Sequence, residues 1–359
     1  MVFLWGTFLP MKPGGRRIPD FHETPLPASP PLPAHPAPAH GTNAAILKLL
    51  GDEDTSTVRL VMEQLLADPG TALPRIEGLL QEASASDDTG PAAKELRRAL
   101  RELRRGDRFV ALRRRCARIE TLEEFEAFCW EMALCADPDA PIGAARERLD
   151  AWAASVREEL PSRESDLSRL EALRTVLAEE GGLRGNADDY YDPRNSFLDR
   201  VILSGRGIPI SLTAVYLFVG SRAGIAVDPI GMPGHFLARI GNLYLDPFHE
   251  GLAVDGEALR EMVKRSAAAA NAPEEARHAL RALSHPMPLA LMARRMVVNL
   301  VNIYEEREGA EEQATSARWR DVLRWIEEGL EPHPGTPRKG QPRPPKPQDD
   351  EGNEEGDML

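Results

Sequence analysis

The segment that decides the fold runs from Asp188 to Gly251: DDYYDPRNSFLDRVILSGRGIPISLTAVYLFVGSRAGIAVDPIGMPGHFLARIGNLYLDPFHEG. Asn195 reads as the N-cap of a short helix, Ser196–Leu203. Gly205-Arg206-Gly207 breaks that helix, Pro209 fixes an extended approach, and Ser211 stands where the next helix begins. That helix, about Leu212 to Ala223, carries Leu212, Val215, Tyr216, Phe218 and Val219 and is apolar on most sides, as a central buried helix is. Gly224 is its stop. A strand at about Ala226–Ile230 and a turn at Gly231–Gly234 follow. Two further strands, His235–Ile240 and Leu243–Phe248, flank Gly241-Asn242, a two-residue hairpin signal. That turn sets Ile240 opposite Leu243, Leu237 opposite Asp246 and His235 opposite Phe248. Side chains alternate along strands, so His235, Leu237, Arg239, Tyr244, Asp246 and Phe248 share one face, and Phe236, Ala238, Ile240, Leu243 and Leu245 the other. His235 and Asp246 become diagonal neighbours within reach of a hydrogen bond.

A histidine oriented by an aspartate, near a hydroxyl at a helix start, has the layout of a base, an orienter and a nucleophile. Ser211, His235 and Asp246 are therefore the candidate catalytic residues, with Asn195, Pro209, Arg239, Tyr244 and Phe248 as candidate pocket lining. The dipole and free N–H groups of the helix start favour negative charge at Ser211. Plainer readings stand beside this one: Ser211 caps the helix, and His235 and Asp246 form a structural pair. His235, Asp246 and His249 could also converge on a metal, but the pattern has neither a helical histidine pair nor a cysteine. No metal or other cofactor is expected.

Upstream of this segment the texture is helical. Ile46, Leu49 and Leu50, then Val58, Val61, Met62, Leu65 and Leu66, then Ile76, Leu79 and Leu80 recur at helical steps. Around LLGDEDTSTVRLVMEQLL the pattern resembles one HEAT-type repeat, which must stack on neighbouring helices to bury its apolar face. Thr121 with Glu124 forms a capping-box pattern before Phe125, Phe128, Cys129 and Met132. Further helices are expected at about Ala144–Leu160, with Leu149, Trp152 and Val156 inward, and at about Asp166–Glu179. Downstream, Leu291, Met296, Leu300 and Ile303, a break at Arg307-Glu308-Gly309, and Trp319, Leu323, Ile326 and Leu330 read as a helical hairpin of tetratricopeptide type.

Composition bounds the rest. The chain has 359 residues and a formal charge of −13. Of its 31 prolines, ten precede residue 43 and seven lie between Pro332 and Pro347, so an ordinary globular interior sits between proline-rich ends. Three cysteines, Cys116, Cys129 and Cys135, make neither a disulfide framework nor a zinc pattern, and read as thiols packed in helices. No apolar run approaches the ~18 residues that span a bilayer. Met1–Met11 is apolar, but Arg16 and Arg17 follow it, the wrong order for a signal peptide, so the start reads as an untargeted or mis-started leader and the protein as cytoplasmic. Nine arginines crowd residues 97–115, but Leu96, Leu100 and Leu103 place them on the solvated side of a helix. With no interleaved aromatics and an acidic chain, nucleic acid is not an expected partner. Six acids in residues 349–357 make an acidic tail.

The phrases Asn195-Ser196-Phe197-Leu198, Gly207-Ile208-Pro209-Ile210-Ser211-Leu212, Gly234-His235-Phe236 and Asp246-Pro247-Phe248 resemble, in order and spacing, the SirB-type branch of the transglutaminase-like superfamily. The resemblance covers about residues 188–262 and implies an α+β, mostly helical fold. Its papain- or transglutaminase-like core has a helix packed on a small antiparallel sheet, flanked by helical repeat-like segments. The resemblance implies the helical first part of the family domain (107–180), the core (181–265) and a tetratricopeptide-like hairpin (284–331); the Pro/Ala-rich leader (1–42), the HEAT-like helices (43–106) and the tail (332–359) are read from the residues and are additional to it. Catalytic relatives use a Cys-His-Asp triad for acyl transfer or amide hydrolysis. His235 and Asp246 match the family histidine and aspartate, whereas the cysteine position falls on Pro209 or Ser211, without a thiol. The SirB-type branch often lacks that cysteine and has no firmly assigned reaction. The resemblance therefore implies a binding module or pseudoenzyme whose helical repeats take a protein or peptide partner. A Ser-His-Asp hydrolase or acyltransferase acting on a peptide or amide is the alternative, and an inert helical scaffold a third reading.

Overall fold

The computed structural model describes residues 41–269 and 283–330; the tail and all but the last two residues of the leader lie outside the described residues. Seven helices come first: α1 (Gly41–Leu50), α2 (Thr55–Leu66), α3 (Pro69–Asp87), α4 (Pro91–Cys116), α5 (Leu122–Ala136), α6 (Ile142–Glu159) and α7 (Asp166–Arg174), the last continuing as a π-helical turn over Thr175–Glu180. The Thr121–Glu124 capping box opens α5 in both directions, with Glu124 N–H donating to Thr121 Oγ1 and Glu124 Oε2 accepting from Thr121 N–H. Helix α4 runs unbroken through residues 106 and 107 and serves two cores. Its first half packs Leu96 and Leu100 with Leu50, Leu65, Ile76 and Leu79, and its end places Leu112 and Cys116 in the main core. Its arginines find carboxylates; Arg104, for instance, reaches Glu77 at 3.1 Å and Asp139 at 3.5 Å.

The central segment follows as β1 (Arg184–Gly185), α8 (Leu198–Ser204), β2 (Arg206–Gly207), α9 (Pro209–Ala223), β3 (Asp228–Met232), β4 (His235–Ile240), β5 (Leu243–Asp246), β6 (Leu252–Val254) and α10 (Gly256–Ala269). β1 and β2 form a short parallel pair, and β3-β4-β5-β6 an antiparallel meander. The Gly241-Asn242 turn sets the expected register, with Ile240 opposite Leu243 and Arg239 opposite Tyr244. Phe236, Ala238, Ile240 and Leu245 join the main core, which contains most of α9. Leu237 and Tyr244, on the alternate positions, pack with Ile230, Met232 and Val263 under α10. A mostly helical fold around a helix on a small antiparallel sheet is thus what the chain adopts.

Two helices close the described chain, α11 (Leu289–Glu305) and α12 (Ala310–Leu330). Met292, Met296, Leu300, Trp319 and Ile326 belong to the same core as α9. Trp319, 1% exposed, stacks near Phe109 and Phe197 with ring centroids at 5.6 and 5.9 Å. Aromatic burial of this kind contributes several kcal/mol, about 3–5 by truncation of comparable side chains. Among the described residues no helix is long and apolar enough to cross a membrane.

Local readings differ from the sequence expectation at four places. Pro209, expected in the extended approach, is the first residue of α9, so Ser211 is its third residue and not its start. Asn195 is not an N-cap; it sits in a 3-10 turn, Pro193–Ser196, and α8 starts after Phe197. Asp192 wins the capping role, because Pro193 with its fixed φ begins the turn and Asp192 accepts from Arg194 N–H at 2.9 Å. The strand expected from Ala226 begins at Asp228 and continues to Met232, so the turn shrinks to Pro233-Gly234. The strand expected to reach Phe248 ends at Asp246, because Pro247 has no N–H for the ladder and Asp246 caps a 3-10 turn, Pro247–His249.

Candidate functional site

Asp246 is the hub of the polar cluster. One carboxylate oxygen, Oδ2, lies 2.7 Å from His235 Nε2 and 2.8 Å from His249 Nδ1. The other, Oδ1, accepts from the backbone N–H of Phe248 at 3.0 Å and of His249 at 3.4 Å. An ionised carboxylate only accepts, so both imidazoles turn an N–H toward it. Burial pushes the Asp246 carboxyl up, but the bonds and charge from His235 and His249 outweigh it and hold the group well below the usual carboxylate range. The same bond raises His249, against the opposing effect of its partial burial. The sequence reading reached His235 and Asp246; the structure adds that the turn begun by Pro247 folds His249 back onto the same oxygen. Glu250, at φ 56°, is the one non-glycine residue in the left-handed region among the described residues and directs the chain out of this turn.

Aromatic rings build outward from the cluster. Phe248 stands edge-on to His235 at 6.3 Å and to Tyr190 at 6.0 Å between centroids. It lies so close over β1 that a Cβ added at Gly185 would meet its ring at 2.5 Å, so only glycine fits there. Tyr190 in turn is held by Asn195, whose side-chain amide donates to Asp189 O at 2.7 Å and Tyr190 O at 3.2 Å and accepts from Asn186 Nδ2 at 3.0 Å.

Ser211 connects to that loop and not to the histidine. Its Oγ accepts from Ile208 N–H at 3.1 Å and lies 2.6 Å from Asn195 O and 3.0 Å from Ile208 O, either of which takes its proton. It is fully buried, in the third helical position of α9, where such a side chain satisfies the N–H of the capping residue. Pro209 is the first residue of α9 and is buried. Arg239 lies away from the cluster, paired with Asp228 at 2.6 Å, and Tyr244 Oη donates to Leu283 O at 2.7 Å. The structure thus gathers His235, Asp246 and Phe248 in one cluster. It links Asn195 and Ser211 to each other, and turns Arg239 and Tyr244 toward β3 and residue 283.

The three thiols are in α4 and α5 and fully buried. Burial pushes Cys116 up to about 12, and Cys129 and Cys135 well above an ordinary thiol, so they stay protonated and unreactive.

His235, Asp246 and His249 present ligand atoms within 4.8 Å of one another, the one group among the described residues that could hold a metal ion. A tetrahedral zinc with bonds of about 2.0–2.1 Å keeps its ligand atoms about 3.4 Å apart. The contacts of 2.7 and 2.8 Å are hydrogen-bond lengths, so this arrangement is that of two imidazoles on one carboxylate.

Tyr190 and Arg295 are the neighbours sequence reasoning missed. Arg295 Nη2 donates to His235 O at 3.3 Å, and its guanidinium lies 4.9 Å over the Phe236 ring. A signal was present: Arg295 directly precedes Met296 in α11, beside the apolar stripe of Met292, Met296 and Leu300.

Residues 143–296 match the model of the transglutaminase-like superfamily. The chain is 35% identical over 173 residues to a UPF0162 protein of Xylella fastidiosa (strain Temecula1), covering 47% of this chain and 57% of that protein. It is 33% identical over 87 residues to a UPF0162 protein of Vibrio cholerae, covering 23% of this chain and 32% of that protein. Human F-box only protein 21 is 26% identical over 155 residues, 40% of this chain and 23% of that protein. The chain therefore matches a little over half the length of the first of these relatives and less of the others. No solved structure matches it.

Proposed function

We propose that this chain, which carries a transglutaminase-like domain over residues 143–296, is a SirB-type binding or regulatory module. In it the His-Asp pair of the fold serves architecture and ligand contact without a nucleophile. The observation that carries this reading is the state of Ser211. Its single proton is committed to a carbonyl and its oxygen to the Ile208 N–H. A serine nucleophile needs its proton on the base. The cysteines cannot substitute, since all three are buried and protonated.

What remains at the site is a preformed polar and aromatic surface. The Ser211–Asn195 link fixes the Tyr190 loop, Tyr190 backs Phe248, and Phe248 flanks His235 and the half-exposed His249. A few fixed polar groups beside aromatic rings are the usual makings of a ligand site, and a peptide or small molecule is the ligand proposed. Helices α1 to α4 add a separate layer, and a partner protein on that layer is part of the proposal.

The test is turnover. Full-length protein at high concentration is incubated with a mixed panel of peptide amides and p-nitroanilides and followed by mass spectrometry. The reading expects no release or transfer above the buffer rate. Release that is lost in His235→Asn would replace it with the Ser-His-Asp hydrolase or acyltransferase.

A further inference from the structure

A second polar site lies away from the His235 cluster, where the α11–α12 hairpin meets α4 and α5. A cleft of about 180 Å³ opens there, with Trp319 and Cys135, each 1% exposed, at its base. Phe109 and Tyr304 wall it, the Phe109 and Trp319 rings lying 5.6 Å apart between centroids. Its rim is the first turn of α12, with Glu312 half-buried and Glu311 exposed.

Two arginines border the cleft, and both are turned to Glu102 on α4. Arg105 donates to Glu102 Oε1 at 2.6 Å and Arg318 to Oε2 at 3.2 Å, and Arg105 also donates to Ala136 O at 3.3 Å. Arg307, the next cation of the hairpin, lies over the Tyr304 ring at 5.9 Å and donates to Tyr191 O at 3.4 Å. Glu311 and Glu312 are in no ion pair or hydrogen bond among the described residues. With Glu102, the cleft therefore sets three carboxylates against two arginines, and the unmatched charge is negative.

Acids in a first turn suit the helix dipole without any ligand, so Glu311 and Glu312 alone do not make a site. Trp319 supplies the independent sign of one. Its indole N–H has no acceptor among the described residues, although buried donors are normally satisfied. Protein does not seal that N–H, so it opens on the cleft that Trp319 lines. A cation alone offers only donors and leaves the indole unsatisfied. The ligand that answers both ends carries a cation at the rim and an acceptor at the base. Glu312 and Trp319 are seven residues apart, about 10 Å of helix. That is the span of about three peptide residues, each at most about 3.5 Å, and more than a free amino acid covers.

We propose that this cleft binds the N-terminus of a peptide. Its ammonium sits at Glu311 and Glu312, a backbone carbonyl further along accepts from Trp319 Nε1–H, and an apolar side chain packs on the Phe109 and Trp319 rings. Capture of a chain terminus by fixed polar groups is a recurring mode of peptide recognition. The site shares no residue with the His235 cluster and stands or falls separately from the reading of that cluster.

The test follows the Trp319 indole N–H resonance of the full chain during titration with Ala-Leu-Ala amide, its N-acetyl form, free leucine and N-acetyl-Lys-Ala-Ala amide. The free-amine tripeptide is expected to move the resonance saturably. The acetylated form should bind at least about tenfold more weakly, the scale of one charge-assisted pair, and leucine and the lysyl peptide should also bind more weakly. Replacing both rim acids, Glu311→Gln with Glu312→Gln, should remove the preference for the free amine while the rest of the spectrum stays in place. Comparing the free and acetylated peptides on the native chain needs no variant to fold. Equal binding of those two, tightest binding of leucine or of the lysyl peptide, an unchanged preference in the double variant, or an unmoved Trp319 resonance overturns the assignment.

Discussion

Replacing Asp246 by asparagine isolates the hub of the site with almost no change of shape. The native carboxylate accepts four hydrogen bonds, two of them from imidazoles at 2.7 and 2.8 Å. Charge-assisted bonds contribute about 1.5–3 kcal/mol each, and removing one partner of a buried pair costs about 3–5 kcal/mol. Asparagine keeps one acceptor oxygen but turns an NH2 toward the remaining donors. Asp246→Asn should therefore lose about 3 kcal/mol of unfolding free energy at neutral pH, read from urea titrations with unchanged slope. The pH dependence carries the sign. Because the folded Asp246 carboxyl is depressed, its contribution is complete above its unfolded value of about 3.9 and disappears as the pH falls through the folded value. Because folded His249 is raised, its contribution is complete below its unfolded value of about 6.5 and disappears as the pH rises through the folded value. The difference between native and variant should thus be greatest near about pH 5 and narrow toward both sides. A loss under about 1 kcal/mol at that pH, or a difference that does not change down to strong acid, would refute the assignment of Asp246 as the charged hub.

His249→Gln should remove only the acid-side part: its stability deficit is largest below about pH 6.5 and fades as the pH rises, measured by the same titrations. Ser211→Ala removes the partner of the Ile208 N–H and of Asn195 O, and should lower stability by about 1–2 kcal/mol while raising hydrogen exchange at Tyr190. Gly251→Ala forces a left-handed φ of 66° on an L-residue and drives a Cβ to 2.5 Å from Tyr216 Oη. It should cost at least about 1–2 kcal/mol in thermal unfolding.

What could be read from the residues was whatever short-range chemistry dictates. Gly241-Asn242 fixed the hairpin register, and the register alone brought His235 to Asp246. The apolar spacing of Leu212–Val219 predicted the central helix, and Thr121 with Glu124 the start of α5. Two local competitions went the other way. Asp192 and Pro193 took the turn that Asn195 was expected to open, and Pro247 ended the strand before Phe248. Phe248 still lines the cluster, but from a turn and not from the strand face. Arg295 and Tyr190 lie 60 and 45 positions from His235 in the chain, and no periodicity connects them; only packing of α11 and the Asn195-held loop does. The resemblance matched His235 and Asp246 to the family histidine and aspartate, while the commitments of the Ser211 hydroxyl required coordinates.

The central claim, a transglutaminase-like site without a nucleophile, is tested most directly by covalent labelling of the native full-length chain. The protein is treated with a serine-reactive fluorophosphonate and, separately, with iodoacetamide, and each sample is mapped by peptide mass spectrometry. The account predicts an unmodified Ser211, and thiols at Cys116, Cys129 and Cys135 that react only after denaturation. A stoichiometric adduct on Ser211 that vanishes in His235→Asn would contradict it.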